Sequence, residues 1–304
     1  MRKHPQFVAL IALAAVCFFW GTTYLGIRMA LESFPPVVLV CIRYLISGTI
    51  LLVAAYVRKA YLPSGRELLR TALYGVVIIG IGNGCLAFAE EWIPSGLAAL
   101  FITTSPFWMV GAEALLPGGA RLHGPTIAGM LVGLCGTALL VSQRALSQRF
   151  DVTVLFAFLL LQLGCCGWAF GSILQRRQDT KAHPVVGGAV QQLATGLVYI
   201  IPSFATKTHA IHWSARGIGA LIYLVIFGSI VGYSAYVFAL DRLPVSLLSV
   251  YNYVNPVVAV LLGWLVYKES FGVREICAML IIFAGVAIVK RVSRPVAEAL
   301  PEAA

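Results

Sequence analysis

The residue whose chemistry most needs explaining is Arg43, seven residues into the apolar stretch PVVLVCIRYLISGTILLVAAYV (36–57). A charged side chain near the centre of a helix in lipid costs about 2.5–3.5 kcal/mol on insertion scales. Either the long side chain snorkels to the interface, or it faces inward as a cation within a bundle of helices. In the inward reading Ser47, one turn on, shares its polar face, and Gln191 and Thr195 form a polar pair at matching depth in the second half of the chain. Glu90 ends the apolar run 71–89 on the same side as Arg43 and is the natural counter-ion. An Arg43–Glu90 pair would form or break as a mouth closes; the competing reading of Glu90 is a wet loop carboxylate. Glu113, near the far end of the run 92–112, is the other candidate for gating or proton coupling, against plain anchoring at the interface.

The uncharged candidates form an aromatic and amide set. Trp20 and Trp168 lie about two-thirds of the way along their runs, away from the interfacial belt where such rings usually sit. Tyr24 is one turn from Trp20, Tyr251 and Asn255 share a helical face, and Asn83 lies seven residues before Glu90 on one face, with Tyr233 at the equivalent place in the second half. Aromatic walls with a few amides suit a small amphipathic ligand; lipid-facing or packing roles are the alternative for any one of them. With Arg43 and Gln191 these residues make up the candidate substrate-binding set. Pro106 and Pro256, after Ser105 and Asn255, each remove a backbone bond and could turn a carbonyl to a cavity, or merely kink a helix.

Catalytic and metal chemistry find no footing. The apolar runs contain no Asp, and the five histidines fall in the N-terminal tail or in or beside the gaps. All seven cysteines lie within apolar runs without CxxC spacing and read as small, reduced, buried side chains. No catalytic residue, metal or cofactor is expected.

The elements that must position this set are set by composition. Of 304 residues 60% are hydrophobic and only 11% charged, against about 25% charged in soluble domains, and the mean hydropathy is +0.90. The solvent must be lipid. Ten apolar stretches of spanning length occur, at roughly 7–27, 36–57, 71–89, 92–112, 122–143, 152–175, 184–206, 217–240, 243–267 and 273–289. The first could pass for a signal peptide, but its run is long enough to span and is read as a retained helix. Residues 292–304 read as a disordered cytoplasmic tail. The formal charge of +10 lies mostly in the gaps. There it acts as a topology signal, with no basic patch suited to nucleic acid. Lys and Arg number 14 on the side of the termini and 7 on the other, which predicts cytoplasmic N- and C-termini.

The two halves echo each other. At an offset of 148, Trp20 falls on Trp168, Pro36 on Pro184 and Gly48 on Gly196; at 150, Gly82 falls on Gly232, Pro94 on Pro244 and Pro106 on Pro256; at 149, Gly136 falls on Gly285. A duplicated unit with five spans enters the membrane in opposite senses in its two copies. That predicts an inverted pair, 1–146 and 147–291, about a pseudo-two-fold axis in the membrane plane, an arrangement typical of secondary transporters.

With FFWGTTYLGIR and PPVVLVCIRYL in the first half, and FALDRLPVSLLSVYNYVNPVVAVLLGWLVYKES and GVREICAMLIIFAGVAIV in the second, the chain resembles the EamA family of the drug/metabolite transporter superfamily. The resemblance implies an all-α integral membrane protein of ten helices, with helices one to four and six to nine around a cavity and five and ten peripheral. Arg43 matches the arginine of the family's second helix; Glu269, in KES, has no counterpart in the first half. The expected function is export of small metabolites, amino acids or related amphipathic compounds, across a bacterial inner membrane by alternating access, with protons as a candidate coupling ion. Facilitative uniport or exchange, and drug or lipid-linked cargo, stay open as alternatives, as do a monomer and a homodimer.

Overall fold

The computed structural model describes residues 5–93, 95–119, 122–146, 152–205, 211–267 and 272–292; the tail from 293 and Glu269 lie outside them. All regular structure among them is helical: α1 (Pro5–Leu31), α2 (Pro36–Val57), α3 (Gly65–Ala89), α4 (Ser95–Ile102), α5 (Ser105–Leu115), α6 (Gly124–Leu146), α7 (Val152–Arg176), α8 (Pro184–Ala205), α9 (Ala215–Arg242), α10 (Val245–Leu248), α11 (Tyr251–Tyr267) and α12 (Val273–Val292). Among the described residues eight spans are long and apolar enough to cross a membrane, α4 with α5 and α10 with α11 each counting once. The helix α6 is apolar over a shorter stretch, Gly124–Leu140, and α12 carries Arg274, Glu275, Lys290 and Arg291. Leucine, isoleucine and phenylalanine side chains stand exposed along these helices, as on a surface whose solvent is hydrocarbon.

Two irregularities interrupt the expected runs. The fourth run is split at Thr103–Thr104, ahead of Pro106, which starts α5. The Phe101 carbonyl accepts from Thr104 Oγ1 (2.8 Å) and from Gln162 Nε2 (3.3 Å). The carbonyl that Pro106 leaves without its helical donor is that of Ile102, and Ile102 is one of the residues lining the central cavity. Both α3 and α9 contain π-helical stretches, Val76–Ile81 and Leu224–Tyr233; the offset of 150 carries the first onto 226–231, within the second. A π turn leaves carbonyls poorly satisfied along the axis. Neighbouring side chains use them: Trp20 Nε1 donates to Gly228 O (3.0 Å) and Tyr199 OH to Gly80 O (2.7 Å).

Matching glycines of the two halves meet at the helix crossings. In the antiparallel α2–α8 pair, a Cβ on Gly48 would lie 2.5 Å from the Leu193 amide nitrogen, and one on Gly196 would lie 2.6 Å from that of Leu45. The offset of 148 turns each contact into the other. In the α6–α12 pair, Gly136 approaches the Ile282 nitrogen and the Ala278 carbonyl, while Gly285 approaches the Gly133 nitrogen and the Gly129 carbonyl, again exchanged by the offset of 149. Gly82 faces Trp168 as Gly232 faces Trp20. In each of the α2–α8 and α6–α12 pairs, then, the repeat offset carries one close approach onto the other.

Candidate functional site

Around this seam lies a central cavity of about 80 Å³. Trp20 and Tyr24 reach it from α1, Arg43 from α2, Asn83 from α3 and Trp168 from α7; Tyr233 and the pair Tyr251 and Asn255 complete the wall from α9 and α11. Eight of the nine candidate binding residues thus border one space. The ninth, Gln191, stands behind it: its Oε1 accepts from the Tyr233 hydroxyl at 2.7 Å.

Aromatic rings form one end of the cavity. Trp20 packs edge-on against Trp168 (5.3 Å between centroids) and Tyr251 (5.2 Å), and tilts over Tyr236 (5.1 Å). Tyr236 is fully buried, and its hydroxyl accepts from Trp168 Nε1 (2.9 Å) and bonds Ser172 Oγ (2.7 Å). Edge-to-face pairs add about 0.5–1.5 kcal/mol each beyond burial, and the polar ends of Trp20, Trp168 and Tyr236 each have a partner. The cluster is rigid by construction. Asn255, in the amide orientation that satisfies its neighbours, donates to the Tyr251 and Cys17 carbonyls at 3.0 Å each, tying α11 to α1.

Arg43 is 5% exposed and faces the interior, so the snorkelling alternative fails. Its Nε donates to Ser229 Oγ at 2.7 Å and its guanidinium lies 4.9 Å from the Tyr44 ring centroid. Among the described residues it has no acidic partner. The anticipated Arg43–Glu90 pair is absent because α9 places Ser229, one residue past Gly228, where the guanidinium points. Glu90 sits just past the end of α3, buried, with both oxygens unpartnered. Burial pushes its carboxyl well above the ordinary carboxylate range, opposed by the Arg28 cation. Nor is it the wet carboxylate that was the alternative. Glu113 borders no part of the central cavity; its Oε1 pairs with Arg177 Nη2 at 3.6 Å, fixing the end of α5 to the end of α7.

The residues that sequence reasoning passed over are Ser229 and Tyr236, hydroxyls beside the named arginine and aromatics; Ser172, one turn from Trp168, was legible as its polar neighbour and bonds Tyr236. Their types carry no signal alone; the repeat did mark their surroundings. No group of three or more metal-binding side chains occurs among the described residues.

The geometry now bears comparison with known proteins. The sequence profile of the EamA-like transporter family matches residues 7–142 and again 155–291. The chain belongs to that family. As an EamA protein it is a membrane transporter, and it is 35% identical over 288 residues to an uncharacterized inner membrane transporter, YedA, of Escherichia coli K12, covering 94% of this chain and 90% of the relative. It is 25% identical over 303 residues to a protein of the same organism named a probable amino-acid metabolite efflux pump, covering 95% of each. A protein of known crystal structure shares the fold with a TM-score of 0.78 at 23% identity, over 94% of this chain and 97% of that one.

Proposed function

We propose that this EamA protein is a secondary transporter that exports small amphipathic metabolites, amino acids or their relatives, across a bacterial inner membrane. Ten helices form two inverted five-helix halves with both termini in the cytoplasm. Rocking of one half against the other opens the cavity to each side in turn.

The observation that carries this reading is the cavity's construction. It is bordered from both halves, on a seam whose contacts exchange under the repeat offset, and it holds a buried cation beside aromatic walls. A guanidinium suits a carboxylate and the rings suit an apolar body. The relatives named as inner membrane transporter and as amino-acid metabolite efflux pump support location and cargo class.

Among the described residues no carboxylate borders the central cavity. This favours exchange or facilitated movement over proton antiport as a second reading of the energetics. Counterflow of radiolabelled amino acids in proteoliposomes, with and without a pH gradient, tests both. Flux accelerated by the gradient establishes antiport; flux indifferent to it establishes exchange. No movement of any amino acid overturns the cargo class.

A further inference from the structure

The central cavity is not the only polar space. A second pocket of about 250 Å³ lies toward the ends of α7 and α9, bordered among others by Gln175, Arg176, Gln191 and Asp241. The aromatic cluster separates the two spaces. Along α7 the order is Trp168 in the cavity, Ser172 on Tyr236, then Gln175 and Arg176 in the vestibule; along α9 it is Tyr233, Tyr236, then Asp241. Seven residues from Trp168 to Gln175 are about 10 Å of helix.

The vestibule contains polar groups left without partners. Gln191 is fully buried; its oxygen is taken by the Tyr233 hydroxyl, and its Nε2 has no acceptor. Gln175 Oε1 is buried and has no donor. The Arg176 guanidinium makes no hydrogen bond or ion pair among the described residues, although Glu113 first, and then Asp241, are close enough to act on it electrostatically. Among the described residues the Asp241 carboxylate, about half exposed, has one ion pair, with its neighbour Arg242 at 3.0 Å. Buried polar groups left unpaired are costly. A guanidinium and an amide N–H call for a carboxylate; an amide oxygen and a carboxylate call for an ammonium.

We infer that the vestibule is a second binding site, taking a small zwitterion with its carboxylate on Arg176 and Gln191 and its ammonium on Gln175 and Asp241. A ligand of single charge would satisfy one set and leave the other unpaired. The Gln191–Tyr233 hydrogen bond joins the site to the cavity through the aromatic layer, so that a ligand engaging Gln191 acts directly on a residue of the cavity wall. The role of the site as a loading station rests on the transport reading above; the binding itself does not.

Equilibrium dialysis of radiolabelled L-leucine against the purified full chain in detergent tests the site, with leucinamide and 4-methylpentanoate as single-charge competitors. Saturable leucine binding is expected, with Arg176→Gln weakening it about tenfold or more and neither competitor displacing it as well as leucine does. Asp241→Asn, at a half-exposed position that does not threaten folding, should weaken leucine while favouring 4-methylpentanoate. No leucine binding at millimolar concentration, binding indifferent to both substitutions in monodisperse protein, or equal displacement by a single-charge competitor overturns the site. Arg176-dependent binding without flux in proteoliposomes would leave the site standing and sink the transport reading; flux without such binding would do the reverse.

Discussion

Trp20 and Trp168 meet edge to face, 5.3 Å between ring centroids, although they belong to different halves of the chain and occupy the same place in each. Each also lies against the other half's equivalent glycine, Trp168 on Gly82 and Trp20 on Gly232. The central cavity is therefore walled by residues on the seam between the two copies, and it is there that substitutions should show.

Replacing Arg43 with Leu should abolish transport while leaving the protein folded and as stable as before, or more so. The guanidinium is buried without an acidic partner, and exchanging an unpaired buried charge for an apolar side chain removes a desolvation cost. Counterflow in proteoliposomes alongside thermal unfolding in detergent checks both halves of the statement. Undiminished flux would return Arg43 to a packing role.

Gly48→Leu and Gly196→Leu should each destabilise the chain by about 1–3 kcal/mol, the usual cost of overpacking. A Cβ already lands about 2.5 Å from backbone on the facing helix, where nothing can move aside cheaply. A Cβ on Gly111 meets nothing within 4 Å, so Gly111→Leu serves as the control. Equal melting temperatures for all three would refute the close crossing.

Trp168→Phe keeps an aromatic ring at the position, though a smaller one, and removes the donor to Tyr236, one of two bonds on that fully buried hydroxyl. A loss of about 0.5–1.5 kcal/mol is expected. Since Tyr236 stands between the two pockets, Tyr236→Phe should also raise leakage of small solutes in proteoliposomes. An unchanged leak would show that the ring alone seals the layer.

Glu90 carries the pH dependence. Its folded pKa is raised by burial, so its contribution to stability is full below the unfolded carboxyl pKa, about 4.3, and is lost as pH rises through the folded value. Glu90→Gln should flatten the decline in melting temperature above that point and leave the variant the more stable at neutral pH. A steeper decline in the variant would mean that the charged form is the one the fold stabilises.

Much of this site could be read from residue type alone. An arginine in an apolar run has few ways to be accommodated, and the same logic placed Asn83 and Asn255 inward. The pairing of Arg43 with Glu90 failed because helical face and chain depth do not reveal which neighbour a flexible side chain reaches; Ser229, on a distant helix, left no trace in local pattern. Stretches such as VVIIGI have the composition of ordinary helix, so the π turns were invisible. Gln175 and Arg176 read as the polar end of a span, since nothing in their order shows that they border a pocket.

The reciprocal seams also bear on how such a chain can change. Most positions in a doubled protein drift apart, because each copy answers to its own surroundings. Gly48 and Gly196, Gly136 and Gly285, and Trp20 and Trp168 lie in matching contacts along the crossing partners, so an added methyl in either copy collides with the other. At these positions the two halves still spell the same residue, and the resemblance of the copies stays written where they touch.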